Sequence, residues 1–212
     1  MNLLVTAGPT REFLDEVRFL SNLSSGRMGY AVAGAARRAG HAVTLISGPT
    51  DLPAPEGVAR VDVESASEML DALRSRWAGA EALVMAAAVA DWRPALRMPG
   101  KMKKGGQEKL SVELVRTPDI LLELSRNKGN RILIGFALET DGLLAEASRK
   151  MSAKSLDAVV ANSLENLGSE RASATVLTPD GQARPWTDLP KDEFGERLVA
   201  LLAEIAAARK VA

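Results

Sequence analysis

The sequence predicts an α/β fold, a Rossmann-like and mainly parallel sheet with helices on both faces, carrying an added β-hairpin and a mobile Lys/Gly-rich loop. Three observations predict it. Short β-branched or aliphatic runs recur along the chain, segments of helical period lie between most of them, and one pair of strand-like runs near the C-terminus brackets an Asp-Gly turn. No internal repeat and no linker interrupts the pattern, so residues 1–212 read as a single domain.

The elements follow in order. Leu3 to Thr6 is the first strand, apolar on consecutive residues as burial on both faces requires. A long first connection comes next, REFLDEVRFLSNLSSG at residues 11–26, where a dinucleotide-binding unit has a short glycine-rich turn. Its polar groups, Arg11, Arg18, Asn22, Ser24, Ser25 and Gly26, suit activated phosphate chemistry and mark it as an active-site element rather than a spacer. Gly26 and Gly29 open the first helix, and Gly40, between Ala39 and His41, closes it in the C′ role.

Ala42 to Ile46 and Ala59 to Val63 supply two more strands. Ser65 caps the helix ASEMLDALRSRW, with Glu68 at the reciprocal capping-box position. Ala82 to Ala88 forms the next strand, and Thr117, Pro118 and Asp119 start the helix PDILLELSR with proline at its first position. Ile132 to Phe136 and Ala158 to Ala161 are strands on either side of LLAEASRKMSAK, a helix begun by Asp141 or Gly142. The hairpin spans Ala172 to Trp186 around Asp180-Gly181, and Leu189 to Ala208 is a long final helix. Arg97 to Leu110, rich in lysine and glycine, is expected to be mobile.

Composition excludes several chemistries. There is no cysteine, and His41 is the only histidine, which removes disulfides, thiolate nucleophiles, Cys/His zinc sites and histidine-based triads. The 27 basic and 27 acidic side chains balance, so no global field favours nucleic acid or an anionic membrane. No apolar run is long enough to span a bilayer, and the first strand starts at once, so the expected location is the cytoplasm. Lys, Arg, Asn, Asp and backbone groups must carry the chemistry.

Three groups stand out. Ala86, Ala87 and Ala88 end a central strand and let a planar ligand approach the backbone, with Asp91, Trp92 and Arg93 just beyond. Lys101, Lys103, Lys104 and Lys109 among Gly100, Gly105 and Gly106 suit a loop that closes over a polyphosphate. Gly8, Ser24, Ser25 and Gly26 are candidates for a phosphate-binding loop, although neither G-x-G-x-x-G nor the Walker pattern is present. Asp119, Phe136, Glu139, Lys150 and Lys154 complete the polar inventory near strand ends and helix starts.

In register along the chain, TAGPTRE (6–12), VRFLSNLSSGRMGYAVA (17–33), VTLISGPT (43–50), AAAVADWRP (86–94), KMKK (101–104), TPDIL (117–121), GFALET (135–140) and K-x-x-x-K-x-x-D-x-x-x-A-N (150–162) resemble phosphopantothenoylcysteine synthetase, the phosphopantothenate cysteine ligase family of coenzyme A biosynthesis. The resemblance is to the bacterial CTP-dependent type, without the fused flavin decarboxylase. It implies that 4′-phosphopantothenate attacks the α-phosphate of CTP to give an acyl-cytidylate and pyrophosphate. The amine of L-cysteine then releases CMP.

The same resemblance places Lys101 against the nucleotide, and Asn22 and Arg18 at the acyl intermediate. It assigns Ala86, Ala87 and Asp91 to the cytidine pocket, and Pro118, Asp119, Ile120, Leu121, Phe136, Lys150 and Lys154 to the rest of the nucleotide site. It implies Mg²⁺ held mainly by the phosphates rather than by protein side chains. A homodimer is implied too, with the first connection reaching towards the partner, and a decarboxylase on a separate or excised segment. No flavin is expected in this chain.

Two other readings are weaker. A short-chain nicotinamide reductase needs an acid after Ile46 and a Tyr-x-x-x-Lys pair; Ser47 follows instead, and Tyr30 is the only tyrosine. A non-catalytic nucleotide-binding subunit need not keep both Asn22 and Lys101.

Overall fold

The computed structural model describes residues 1–103, 105, 108–138, 142–162 and 168–211. Lys104, Gly106, Glu139 and Asp141, singled out in the sequence, lie outside them. The strands are β1 (Asn2–Ala7), β2 (Arg11–Phe13), β3 (Phe19–Ser21), β4 (Ala42–Ser47), β5 (Ala59–Asp62), β6 (Ala82–Met85), β7 (Trp92–Pro94), β8 (Leu114–Arg116), β9 (Ile132–Leu138), β10 (Ala158–Asn162), β11 (Arg171–Leu177) and β12 (Ala183–Pro190). The helices are α1 (Arg27–Arg38), α2 (Ala66–Trp77), α3 (Ile120–Ser125), α4 (Leu143–Ala153) and α5 (Lys191–Val211).

Eight strands form one sheet in the order β12-β11-β10-β9-β6-β1-β4-β5. From β5 to β10 all pairings are parallel, and β11 and β12 add an antiparallel ribbon at the edge. Counted along the chain, the parallel strands therefore stand in the order 3-2-1-4-5-6, the Rossmann arrangement. Its topological switch point falls between β1 and β6.

Alternation along β1 splits the core between the two faces. Leu3, Val5 and Ala7 pack with Tyr30, Val32, Phe194 and Leu198 of α1 and α5, while Leu4 packs with Met69, Leu73, Leu121 and Met151 of α2, α3 and α4. Helix α1 lies so close to β1 that a Cβ on Gly29 would stand 2.5 Å from the Cβ of Ala7. Only glycine permits that approach. The C-terminus of α1 closes as expected: Gly40 donates to Arg37 O at 3.0 Å and His41 to Ala36 O at 3.1 Å, a Schellman pair.

Several boundaries differ from the sequence reading. Strand β6 stops at Met85, because the chain leaves the sheet there and only Ala88 resumes, as an isolated parallel bridge with Pro9. Asp119, not Thr117, is the N-cap of α3: its carboxylate accepts from Leu122 N at 3.1 Å, so Pro118 stands outside the helix. At α2, Ser65 accepts from Glu68 N at 3.2 Å, but the Glu68 carboxylate returns to Glu64 N at 2.8 Å, one residue before the cap. The final helix starts at Lys191 because Leu189 and Pro190 still pair with Ala172 and Arg171 in the edge ribbon.

Two further ribbons were not foreseen. The first connection folds into β2–β3, and the segment around the lysine cluster is carried by β7–β8. No helix of the described residues is long and apolar enough to cross a membrane.

Candidate active site

The site is built at the carboxyl ends of β1, β6 and β9. Beyond the sheet, the chain leaving β1 and the chain leaving β6 stay bonded to each other: Ala88 N donates to Gly8 O at 2.9 Å, and Thr10 N to Ala88 O at 3.2 Å. Thr6 and Thr10 add side-chain hydroxyls that accept from Ala87 N at 3.1 Å and Ala90 N at 2.9 Å. Backbone thus bridges the switch point, where a dinucleotide fold opens its crevice. The cavity is displaced to the β6/β9 side.

That cleft encloses about 430 Å³, in the range of small-molecule sites. It is lined by Ala87, Asp91, Pro118, Asp119, Ile120, Leu121, Phe136, Lys150 and Lys154, all anticipated as nucleotide contacts, and also by Met85, Val89, Trp92, Arg116 and Thr117. The small and aliphatic residues make an apolar floor suited to a planar ring. Cations stand around it. Lys150 donates to Phe136 O at 2.7 Å, which anchors α4 to the end of β9, and Lys154 pairs with both carboxylate oxygens of Asp119 at 2.7 and 2.9 Å. Asp119 therefore caps α3 and orients Lys154 together.

Arg116, Trp92 and Thr117 belong to this wall through the β7–β8 ribbon. Arg116 lies over the Trp92 ring at 5.7 Å, and Thr117 Oγ1 donates to Ala90 O at 2.6 Å. Thr117 had been read as a helix start, and its hydroxyl instead joins the two connections.

Ala86, Asn22, Arg18 and Lys101 do not line the cleft. Asn22 comes to its edge from the first connection, its amide donating to the backbone oxygen of Val89 at 2.9 Å. Arg18 and Lys101 stand with each other: the Arg18 guanidinium donates to Met102 O at 3.2 Å, next to the exposed side chain of Lys101. The expected phosphate-loop residues gather separately at the start of α1. A Cβ on Gly26 would lie 3.3 Å from Gly8 N, and Ser24 Oγ accepts from Gly26 N at 3.3 Å, while Ser25 is exposed. Gly26 takes the N-cap position in the left-handed region and α1 has no side-chain cap, so its first amides face outward.

Two buried carboxylates on the first connection were missed. Asp15 is fully buried, and although burial alone pushes its carboxyl up, donors from Val17, Met102 and Arg18 outweigh this and hold it below the ordinary range. A D-x-x-R spacing is the local trace of this turn. Glu12 is shifted the other way, pushed up chiefly by burial, though its carboxylate accepts from Ala66 N at 2.8 Å at the start of α2. Among the described residues no group of His, Asp and Glu is placed to hold a metal ion.

A Rossmann-like sheet with a cation-rimmed, apolar-floored cleft at its carboxyl edge defines the chain as a doubly wound α/β domain with a small-molecule-sized site. The chain belongs to the family described as DNA/pantothenate metabolism flavoprotein C-terminal domain, which matches residues 1–206. It is 41% identical over 99% of its length to the coenzyme A biosynthesis bifunctional protein CoaBC of Bacillus subtilis (strain 168), of which it covers 52%. It is 44% identical over 76% of its length to the CoaBC protein of Escherichia coli (strain K12), of which it covers 41%. The chain thus spans about half the length of the curated relatives it matches. The crystal structure of the C-terminal domain of a CoaBC protein superposes with a TM-score of 0.86 at 36% identity, covering 98% of this chain and 96% of that one.

Proposed function

We propose that this chain is a phosphopantothenate cysteine ligase that uses CTP and works in coenzyme A biosynthesis. One observation carries the reading: nine residues expected to bind the nucleotide, drawn from four separate stretches of sequence, surround one cleft. The similarity to CoaBC proteins supports it.

In the first step a carboxylate oxygen of 4′-phosphopantothenate forms a bond to the α-phosphorus of CTP, and the bond to the β-phosphate breaks, releasing pyrophosphate. In the second step the amine of L-cysteine bonds to the acyl carbon, loses a proton, and CMP departs. The cleft holds the cytidine ring on its alanine and Phe136 floor, while Lys150 and Lys154 meet the phosphates. Lys101 neutralises charge that develops on the phosphoryl oxygens. Asn22 hydrogen-bonds the acyl intermediate at the cleft edge, and Arg18 assists there. Gly8, Ser24, Ser25 and Gly26 offer backbone amides to a phosphate of either substrate. Mg²⁺ would be held mainly by the nucleotide phosphates and would neutralise part of their charge.

The reading extends to a cytoplasmic homodimer. Phe19, Trp92 and Leu114 are exposed on the two small ribbons and Leu23, just after β3, is exposed to 83%; a second copy would cover them. A flavin-dependent decarboxylase, fused or separate, would use the product.

The test is pyrophosphate release with phosphopantothenate, cysteine and Mg²⁺, comparing CTP with ATP. Turnover with CTP is expected. Turnover with neither nucleotide sinks the assignment, and preference for ATP corrects the co-substrate while leaving the ligation in place.

A further inference from the structure

The first connection and the lysine-bearing segment meet at Asp15. One carboxylate oxygen accepts from Val17 N at 2.8 Å and Arg18 N at 2.7 Å, and so holds the tip of the β2–β3 ribbon as a tight turn. The other accepts from Arg18 Nη1 at 3.1 Å and from Met102 N at 3.0 Å. Because Arg18 Nη1 also donates to Met102 O at 3.2 Å, the carboxylate, the guanidinium and both backbone groups of Met102 form a closed ring. Leu14 O accepts from Met98 N at 2.8 Å and strengthens the tie on the other side of Lys101.

These contacts are directed at two neighbours. A lysine in a glycine-rich segment samples many positions unless its backbone is held. Here Met102 is held on both its N–H and its C=O, while the Lys101 side chain projects from the next residue with no hydrogen bond or ion pair to any described residue. The carboxylate itself is fully buried and cannot touch substrate.

We propose that Asp15 is a positioning residue that fixes the backbone of Lys101 through Met102, and the guanidinium of Arg18 directly, so that both cations are held in place for their steps of the reaction. The inference rests on the ligase reading, which gives Lys101 and Arg18 their work.

Asp15→Asn tests it. The side chain keeps its shape, but an NH₂ now meets donors it cannot accept from. Pyrophosphate release should fall on the order of tenfold or more in kcat, with KM for CTP changed far less, because misplacing a reacting group costs rate rather than ground-state binding. Amide exchange at Met102, Val17 and Arg18 should quicken, while that of the central strands β1 and β6 stays unchanged. Unaltered kcat in a folded variant overturns the inference, and so does a lost kcat without faster exchange at Met102. Should Asp15→Asn not fold, Met102→Pro removes the same donated bond from a segment outside the sheet, and it must then show the same loss of kcat. If the wild-type chain itself releases no pyrophosphate, the ligase reading fails and takes this inference with it; an active wild type beside an unimpaired variant isolates the failure to Asp15.

Discussion

The edge ribbon β11–β12 and the pair of small ribbons β2–β3 and β7–β8 have the same local architecture and opposite uses. The edge ribbon continues the main sheet, buries Trp186 to 9% exposure, and stacks it edge-on against Phe194 of α5 at 4.9 Å. The small ribbons stand off the sheet and leave Phe19, Trp92 and Leu114 in solvent, while their polar groups knit the site together. A ribbon whose apolar face is covered within the chain is architecture. One whose apolar face stays open, with its hydrogen bonds spent on a neighbouring loop, is there to place groups against something outside the chain.

The sharpest test of that contrast is Lys101→Gln. An exposed side chain without a partner among the described residues contributes little to folding, yet loss of a charge aimed at a phosphoryl transition state costs on the order of 10²-fold or more in rate. Pyrophosphate release should collapse at an unchanged melting temperature, and retention of most activity breaks the contrast on the catalytic side. Trp186→Ala should do the reverse: about 3–5 kcal/mol of stability is lost, as for other buried aromatic truncations, while CTP binding by the folded fraction is untouched. Denaturant titration and equilibrium binding on the same preparation decide between these outcomes.

Smaller effects sharpen the comparison further. Phe19→Ser removes the edge-on contact with Phe13 at 5.6 Å and should lower monomer stability by about 0.5–1.5 kcal/mol. Sedimentation should nevertheless show weaker self-association, and a large stability loss instead would mean that the ribbon is covered within the chain. The smallest effect is in pH. The Asp15 carboxyl is held below its ordinary value of 3.8, so its contribution to stability is whole above that pH and disappears as pH falls through the lowered folded-state value. Glu12 has the opposite sign: its folded-state value stands above 4.5, so the folded state binds its proton more tightly and stability declines as pH rises through that window. Denaturation midpoints of Asp15→Asn should therefore converge on wild type only below 3.8, and those of Glu12→Gln should gain on wild type above 4.5.

The same contrast marks what could be read in the sequence. The parallel sheet was legible because consecutive apolar runs such as Leu3 to Thr6 and the Gly40 helix stop are local signals. The edge hairpin was legible from Asp180-Gly181 and its flanking residues, although its strands run longer at both ends. Ala87, Asp91, Asp119, Phe136, Lys150 and Lys154 were legible one by one from strand ends and helix starts, whereas their grouping into a single site entered through the family resemblance. The small ribbons were not legible, since strands of three residues are too short to show a period. Asp15 carries no sequence signal beyond its D-x-x-R spacing; what makes it different is Met102, 87 positions away, and nothing along the sequence announces that partner.

The bonds Asp15 to Met102 and Asn22 to Val89 join residues 87 and 67 positions apart. Closing such spans costs chain entropy that local contacts do not repay, so they form only once β1 and β6 lie side by side and have brought the two connections together. The site is accordingly a late arrival in folding. During refolding from denaturant, helical signal and protection of the central strands should return first, and the capacity to bind CTP last.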